Sequence, residues 1–270
     1  MREELDSLIQ KPLGRRGFVK GMGMAGLGVA GAAVLGGRAF AQSAPTPTPL
    51  TDIDILNFAL NLEYLEAEFY TVATFGETIL SAGVITADEQ SGSTTGGHVV
   101  PNFAASDLAY IAEALRTDEQ AHVAVLRQAL GSAAIPKPAI NLDALGIGFG
   151  NEVEFLTLAR AFEDVGTSAY AGAIGLLTNP TFISTAARIA ETEAQHSGTL
   201  RDMVIQRGVT VPPTDALDIV PTPQTPWLVD SMALTVARTA QQVLAIVYAG
   251  GATSGGFFPQ GVNGTIKSSQ

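Results

Sequence analysis

The sequence predicts an all-α fold: an antiparallel four-helix bundle with an additional C-terminal helix and long irregular connections. Three observations carry that reading. Apolar residues recur at alternating three- and four-residue steps in four separate segments, the spacing of one face of a helix. The chain is 46% hydrophobic but only 7% aromatic, with 29 glycines, which suits closely packed helices better than a β-sandwich. One pair of motifs also occurs twice, in the order Glu…Tyr, Glu-x-x-His, Glu…Tyr, Glu-x-x-His.

The elements follow in chain order. Gly14-Arg15-Arg16-Gly17-Phe18-Val19-Lys20 precedes a Gly/Ala-rich apolar run from Gly21 to Gly37, and Ala39-Phe40-Ala41 has the small-x-small form of a cleavage site. Residues 1–41 resemble a twin-arginine signal peptide, with Gly14 where Ser or Thr is usual. The apolar run is shorter than the roughly 20 strongly apolar residues that span a bilayer, and no cysteine is present for acylation. The expectation is an exported protein, periplasmic or extracellular, with no stable membrane anchor after cleavage. Such pathways carry folded proteins, so a metal site would be assembled before export. Residues 42–50 alternate proline with small polar residues and read as an extended linker.

Residues 51–207 hold the four helical stripes. The first runs Leu56, Ala59, Glu63, Glu66, Tyr70 and Ala73, with Thr51 and Asp54 as a capping pair. The second runs Leu108, Ala112, Leu115, Glu119, His122, Leu126 and Ala129, with Ser106 as N-cap and Gly131 as stop. The third is Leu156, Ala159, Glu163, Gly166, Tyr170, Ala173 and Leu177, broken by Asn179-Pro180. The fourth is Phe182, Ala186, Ile189, Glu193, His196, Leu200 and Met203, closed by Gly208. Residues 208–270 read as a Pro-rich connection, a fifth helix over Leu228 to Tyr248 and a Gly-rich tail, with Trp227 plugging a hydrophobic seam.

In every stripe the ionisable residues lie among the apolar ones. A buried carboxylate without a partner costs several kcal/mol or takes up a proton, so these stripes call for cations. One or two divalent ions would neutralise them. Two of the three histidines in the chain fall in the Glu-x-x-His tetrads. Residues three apart share a helical face, so the carboxylate can bridge two ions while the imidazole binds one. Tyr70 and Tyr170 each follow a glutamate by seven residues, two turns or roughly 10 Å along the stripe. There each phenol can donate a hydrogen bond to a ligand on a neighbouring helix.

Charge and cysteine usage exclude other classes. Formal net charge is -11. Residues 1–41 hold six Lys/Arg and three Asp/Glu, leaving 9 basic and 23 acidic residues in the remainder. That acidity repels phosphate backbones and anionic lipid, so no nucleic acid is expected as partner. With 0 cysteines, disulfides, zinc-thiolate sites, iron–sulfur clusters and thiol catalysis are ruled out.

The motif set resembles the di-iron/dimanganese carboxylate proteins of the ferritin-like superfamily, in which two helices each give a Glu and two others each give Glu-x-x-His. Asp54-Ile-Leu-Asn-Phe-Ala-Leu-Asn-Leu-Glu63-Tyr-Leu-Glu66-Ala-Glu68-Phe-Tyr70 is similar to the exported branch that includes plant desiccation-related proteins. The resemblance implies two Fe or two Mn ions, with Glu119 and Glu193 bridging, Glu63 and Glu163 as terminal carboxylates and His122 and His196 as terminal imidazoles. Glu66 departs from the pattern, since its repeat counterpart is Gly166. Three roles are open to it: a seventh ligand, a proton relay, or the ligand in place of Glu63. Glu63 is preferred because it keeps the repeat.

His98 reads as an exposed loop histidine, and Glu113, Asp118, Glu152 and Glu154 as solvated helix faces. Asp164 and Glu191 neighbour a motif and are left open. The loop over residues 76–105 is long enough to cover the mouth of a site or to carry short strands. Carboxylate and imidazole donors without thiolate suit iron or manganese. The expected activity is a metal-dependent oxidoreductase acting on peroxide or dioxygen in oxidative or desiccation stress, catalase-like or oxidase-like. The alternatives are a non-catalytic stress or envelope protein stapled by its metal, and an iron-binding protein. A homodimer is compatible with the extra C-terminal helix.

Overall fold

Four long helices carry the motif residues: α1 (Asp52–Phe75), α2 (Ala109–Leu130), α3 (Glu152–Ala173) and α4 (Pro180–Gln206). A short α5 (Ala240–Val247) follows. The computed structural model describes residues 49–103 and 106–270. The expected export signal, residues 1–41, and most of the expected linker lie outside the described residues.

The helix ends follow their local chemistry. The Thr51 hydroxyl accepts from the Asp54 amide, and the Asp54 carboxylate accepts from the Thr51 amide at 2.8 Å, a reciprocal cap. Gly76, at φ 71°, takes the left-handed turn that ends α1. Asn151 caps α3, and the Glu154 carboxylate accepts from the amides of Gly148 and Gly150 at 3.3 and 3.0 Å. Asn179-Pro180, read above as a break, also opens α4: the Asn179 side chain accepts from the Thr181 amide, and proline occupies the first turn, where its missing N–H costs nothing. Ser106 does not cap α2. Its hydroxyl accepts from the Leu108 amide, and the helix starts only at Ala109.

Hydrogen-bonded pairs give the helix directions. Gln120 bonds Thr71 while Arg127 bonds Tyr64, so α1 and α2 are antiparallel. Tyr70 bonds Glu163 while Tyr170 bonds Glu63, so α1 and α3 are antiparallel too. Arg201 meets Asp164 and Arg207 meets Glu152, which sets α3 against α4. Consequently α2 and α3 run the same way, and the chain must cross the length of the bundle between them. The crossover contains strand β2 (Ile140–Asn141), which pairs in parallel with β1 (Thr94–Thr95). The long loop after α1 therefore carries a strand. Buried Lys137 fixes it: Nζ donates to Thr94 Oγ1 at 2.8 Å and Gly92 O at 3.0 Å and lies 3.4 Å from Glu68 Oε1.

These layers leave α1 buried on all sides from Ile55 to Ala73. The C-terminal tail completes its cover, with Asn61 and Asn263 exchanging hydrogen bonds at 3.0 Å. Phe69 anchors the aromatic part of the core, with Tyr70, Phe149, Phe155 and Phe162 at ring-centroid distances of 5.0 to 5.3 Å.

The C-terminal third departs most from the sequence expectation. The fifth helix is only Ala240–Val247, not Leu228 to Tyr248. Asp230 holds a turn by accepting from Met232 and Leu234, Ala233 takes φ 60°, and the Arg238 amide bonds Ser168 O on α3. These contacts outweigh helical propensity over 229–239. Trp227 does not plug a seam: it is 59% exposed and lies near Gly198 of α4. Three fully buried arginines do the anchoring instead. Arg160 meets Asp218, Arg201 meets Asp164 and four backbone carbonyls of the Pro-rich connection, and Arg238 meets Asp215 and Ser168. The Gly-rich tail is a core element, since Phe257, Phe258, Val262 and Ile266 are buried. Among the described residues, no helix is long and apolar enough to cross a membrane.

Gly172 marks the closest approach of this segment to α3. A Cβ there would lie 2.0 Å from the Arg238 carbonyl oxygen. Gly172→Ala is expected to destabilise the fold by about 1–3 kcal/mol through overpacking, read as a lower denaturant midpoint at unchanged slope.

Candidate metal centre

Each long helix turns one motif inward at mid-height, and all six predicted ligands converge. Glu63, Glu119, Glu163 and Glu193 are buried, as are His122 and His196. His122 Nδ1 lies 3.2 Å from Glu63 Oε2, 3.0 Å from Glu119 Oε2 and 3.3 Å from Glu193 Oε1. His196 Nδ1 lies 3.0 Å from Glu119 Oε1 and 3.3 Å from Glu163 Oε2. The two imidazoles face each other at 6.1 Å between ring centroids. Two overlapping sets result, with donor atoms within 4.8 Å: Glu63, Glu119, His122 and Glu193, and Glu119, Glu163, Glu193 and His196. Glu119 and Glu193 belong to both sets, the geometry a bridging carboxylate needs.

The tyrosines act crosswise between the two halves. Tyr70 Oη donates to Glu163 Oε1 at 2.6 Å, and Tyr170 Oη to Glu63 Oε1 at 2.5 Å. Each bond occupies one oxygen of its glutamate and leaves Oε2 turned toward the histidines. Burial, reinforced by the carboxylate each one faces, raises both phenols well above their ordinary pKa, so both stay protonated as donors.

The charge balance of this pocket is poor without cations. Burial, then the neighbouring Glu163, pushes Glu119 up to about 7. Burial and the surrounding carboxylates raise Glu193 and Glu66 well above the ordinary range. Burial also pushes Glu63 up, but the adjacent His122 more than offsets this, and its net shift is downward. Burial opposes charge on both imidazoles, yet the facing glutamates win and raise His122 far above its ordinary value and His196 to about 12.

Hydrogen bonding tests whether the pocket fits metal. Glu63 Oε2, Glu119 Oε1, Glu163 Oε2 and both oxygens of Glu193 are buried without a hydrogen-bond partner, and so is His196 Nδ1. Some lie within ion-pair distance of an imidazole nitrogen but out of hydrogen-bond alignment. Native proteins rarely leave such groups unpaired, because each costs about 1–3 kcal/mol or more. All these atoms point to the same place, as metal ligands do. The residues fit two divalent ions.

Glu66 is buried near this pocket but belongs to neither donor set. A methyl group at Gly166 would sit 2.6 Å from Glu193 Oε2 and 2.9 Å from Glu66 Oε1. The missing side chain at Gly166 is thus what makes room for the extra carboxylate. Asp118 corrects the sequence reading: it is no mere solvated residue, since its Oδ2 lies 3.1 Å from His196 Nε2. Asp164 is buried in the arginine network, Glu191 lines a groove beside His122, and His98 is exposed. Glu152 pairs with Arg207.

The sequence profile of one family, described as a ferritin-like domain, matches residues 51–206. No curated protein matches the chain.

The elevated pKa values imply that the metal-free pocket holds protons on carboxylates and on both imidazoles at neutral pH. Ions bind only as those protons leave, so affinity rises with pH. Mn2+ titration in weakly buffered solution is expected to release more than one proton per chain. Apparent affinity should therefore fall more than about tenfold per unit as the pH drops below 7. Equal affinity at low and neutral pH would contradict the ligand set.

Proposed function

The chain belongs to the ferritin-like domain family, and on that premise we propose that it is an exported protein whose dinuclear Fe or Mn carboxylate site handles peroxide or dioxygen. The observation that carries the reading is the set of buried glutamate oxygens without hydrogen-bond partners, gathered from four helices around two imidazoles. In this reading Glu63 and His122 would hold one ion, Glu163 and His196 would hold the other, and Glu119 and Glu193, which belong to both donor sets, would be shared. Oxygen and imidazole donors without thiolate suit iron or manganese. When bound, such ions supply a store of electrons that can be filled and emptied.

The chain's own residues then set the conditions. Tyr70 and Tyr170 hold Oε1 of the terminal glutamates and aim Oε2 inward. Burial excludes bulk water and strengthens every charge interaction in the pocket. Glu66, in the space left by Gly166 and with its pKa raised by burial and by its acidic neighbours, is the group placed to hold and return protons. Disproportionation of peroxide needs that service: one molecule is oxidised to dioxygen with loss of two protons, and a second takes up two protons and is reduced to water. No external electron donor is required. This suits a chain with 0 cysteines, which has no thiolate-bound iron to relay electrons. Export by the twin-arginine route, with release outside the cytoplasm, belongs to the same proposal and rests on residues 1–41.

Purified protein is expected to hold two ions by elemental analysis and to evolve oxygen from peroxide. Glu119→Ala and His196→Ala should each lose stoichiometric loading and reduce oxygen evolution to background. Two ions without peroxide turnover would make the metal a structural staple, and ferrous oxidation alone would indicate iron handling. Full retention of both ions in either variant would overturn the ligand assignment.

A further inference from the structure

The repeat that builds the centre is broken one residue before each Glu-x-x-His tetrad. Asp118 precedes Glu119, but Thr192 precedes Glu193. The two histidines are consequently held in different ways. His196 is gripped at both ring nitrogens, with Nδ1 turned toward Glu119 and Glu163 and Nε2 against Asp118 at 3.1 Å. Among the described residues, His122 makes its hydrogen bonds and ion pairs through Nδ1 alone. Thr192 offers it no substitute, because its hydroxyl donates to Arg188 O within its own helix at 3.2 Å.

The His122 side chain instead borders a groove between α2 and α4. This groove, of about 350 Å³, is lined by Val125 of α2 and by Thr185, Arg188, Ile189 and Thr192 of α4, with His122 in its wall. The two histidine side chains are almost equally buried, at 10% and 9% exposure. What separates them is therefore tethering, not exposure.

We infer that the dinuclear centre has one labile end and one locked end: the ion held by Glu63 and His122 exchanges with solvent through the α2–α4 groove, while the ion held by Glu163 and His196 is retained by Asp118. The inference rests on the dinuclear reading above. A metal-bound imidazole whose outer N–H donates to a carboxylate is fixed in tautomer and orientation and is a more basic ligand, and loss of such a partner typically costs 10–100-fold in metal affinity. The same groove is then the entry for a small polar substrate, which reaches the His122 end first.

The test uses Mn2+-loaded protein challenged with excess EDTA, with released metal followed in time. Two phases of equal amplitude are expected, separated by about 10–100-fold in rate. Thr192→Asp, which offers His122 a carboxylate, should slow the fast phase. Asp118→Thr should speed the slow phase toward the fast one. A third variant avoids the ligand shell. Val125 is 41% exposed, and the chain has no cysteine of its own. Val125→Cys modified with a bulky maleimide should therefore plug the groove and slow the fast phase alone. Two ions leaving in a single phase, or a plug without effect on the fast phase, would overturn the inference while leaving the dinuclear centre standing. A protein that loads no ions would overturn both, and elemental analysis before the challenge tells the cases apart.

Discussion

Four carboxylates buried within reach of one another cannot all carry charge unless cations lie between them. That constraint orders the rest of the molecule. Glu63 and Glu163 come from helices that run antiparallel at the centre, and each tyrosine crosses to the other helix to hold the opposite glutamate. For the crossing to work, α1 and α3 must be in register. The capping box at Thr51, the clamp of Asp52 on Thr178 and Asn179 near the end of α3, and the aromatic cluster around Phe69 all serve that register. The burial of α1 on every side fits the same constraint, since exclusion of water strengthens the interactions of the charges in its middle.

Elsewhere the chain shows how it treats buried charge that has no task in binding. Arg160 and Arg201 share Asp164, Arg238 meets Asp215, and Lys137 sits against Glu68 with backbone carbonyls around it. Each of these cations finds a carboxylate and pins a connection to the bundle. Breaking such a pair costs more than never having built it. Among the described residues, only at the centre do buried carboxylate oxygens accumulate without donors. The contrast between paired and unpaired buried charge separates scaffold from site within a single chain.

Much of this was legible in the sequence, for a definite reason. A helix fixes which residues share a face, so Glu63, Glu119, Glu163 and Glu193 on apolar stripes announce both burial and convergence. Caps and stops such as Thr51, Gly131 and Gly208 are equally local and stand where the helices begin and end. What escaped depends on contacts between elements. Asp118 looks like a solvated side chain on its own helix, and only the packing of α2 on α4 brings it to His196. Its signal was present as the mismatch between Asp118 and Thr192 in an otherwise matched repeat. The short α5 and the exposed Trp227 are not legible in spacing, because Arg201 on α4 and the pairing of Arg238 with Asp215, 23 residues away, dictate the course of residues 212–239. Pairing of the two short strands likewise arises from the crossover, which no spacing within either loop encodes.

Anomalous diffraction at the manganese and iron edges, on crystals of protein purified without chelator, tests the central claim most directly. The account predicts two peaks separated by about 3.5–4 Å, one beside Glu63 and His122, the other beside Glu163 and His196, with Glu119 and Glu193 between them. Carboxylates closed upon one another through shared protons, with any bound metal elsewhere on the surface, would contradict it.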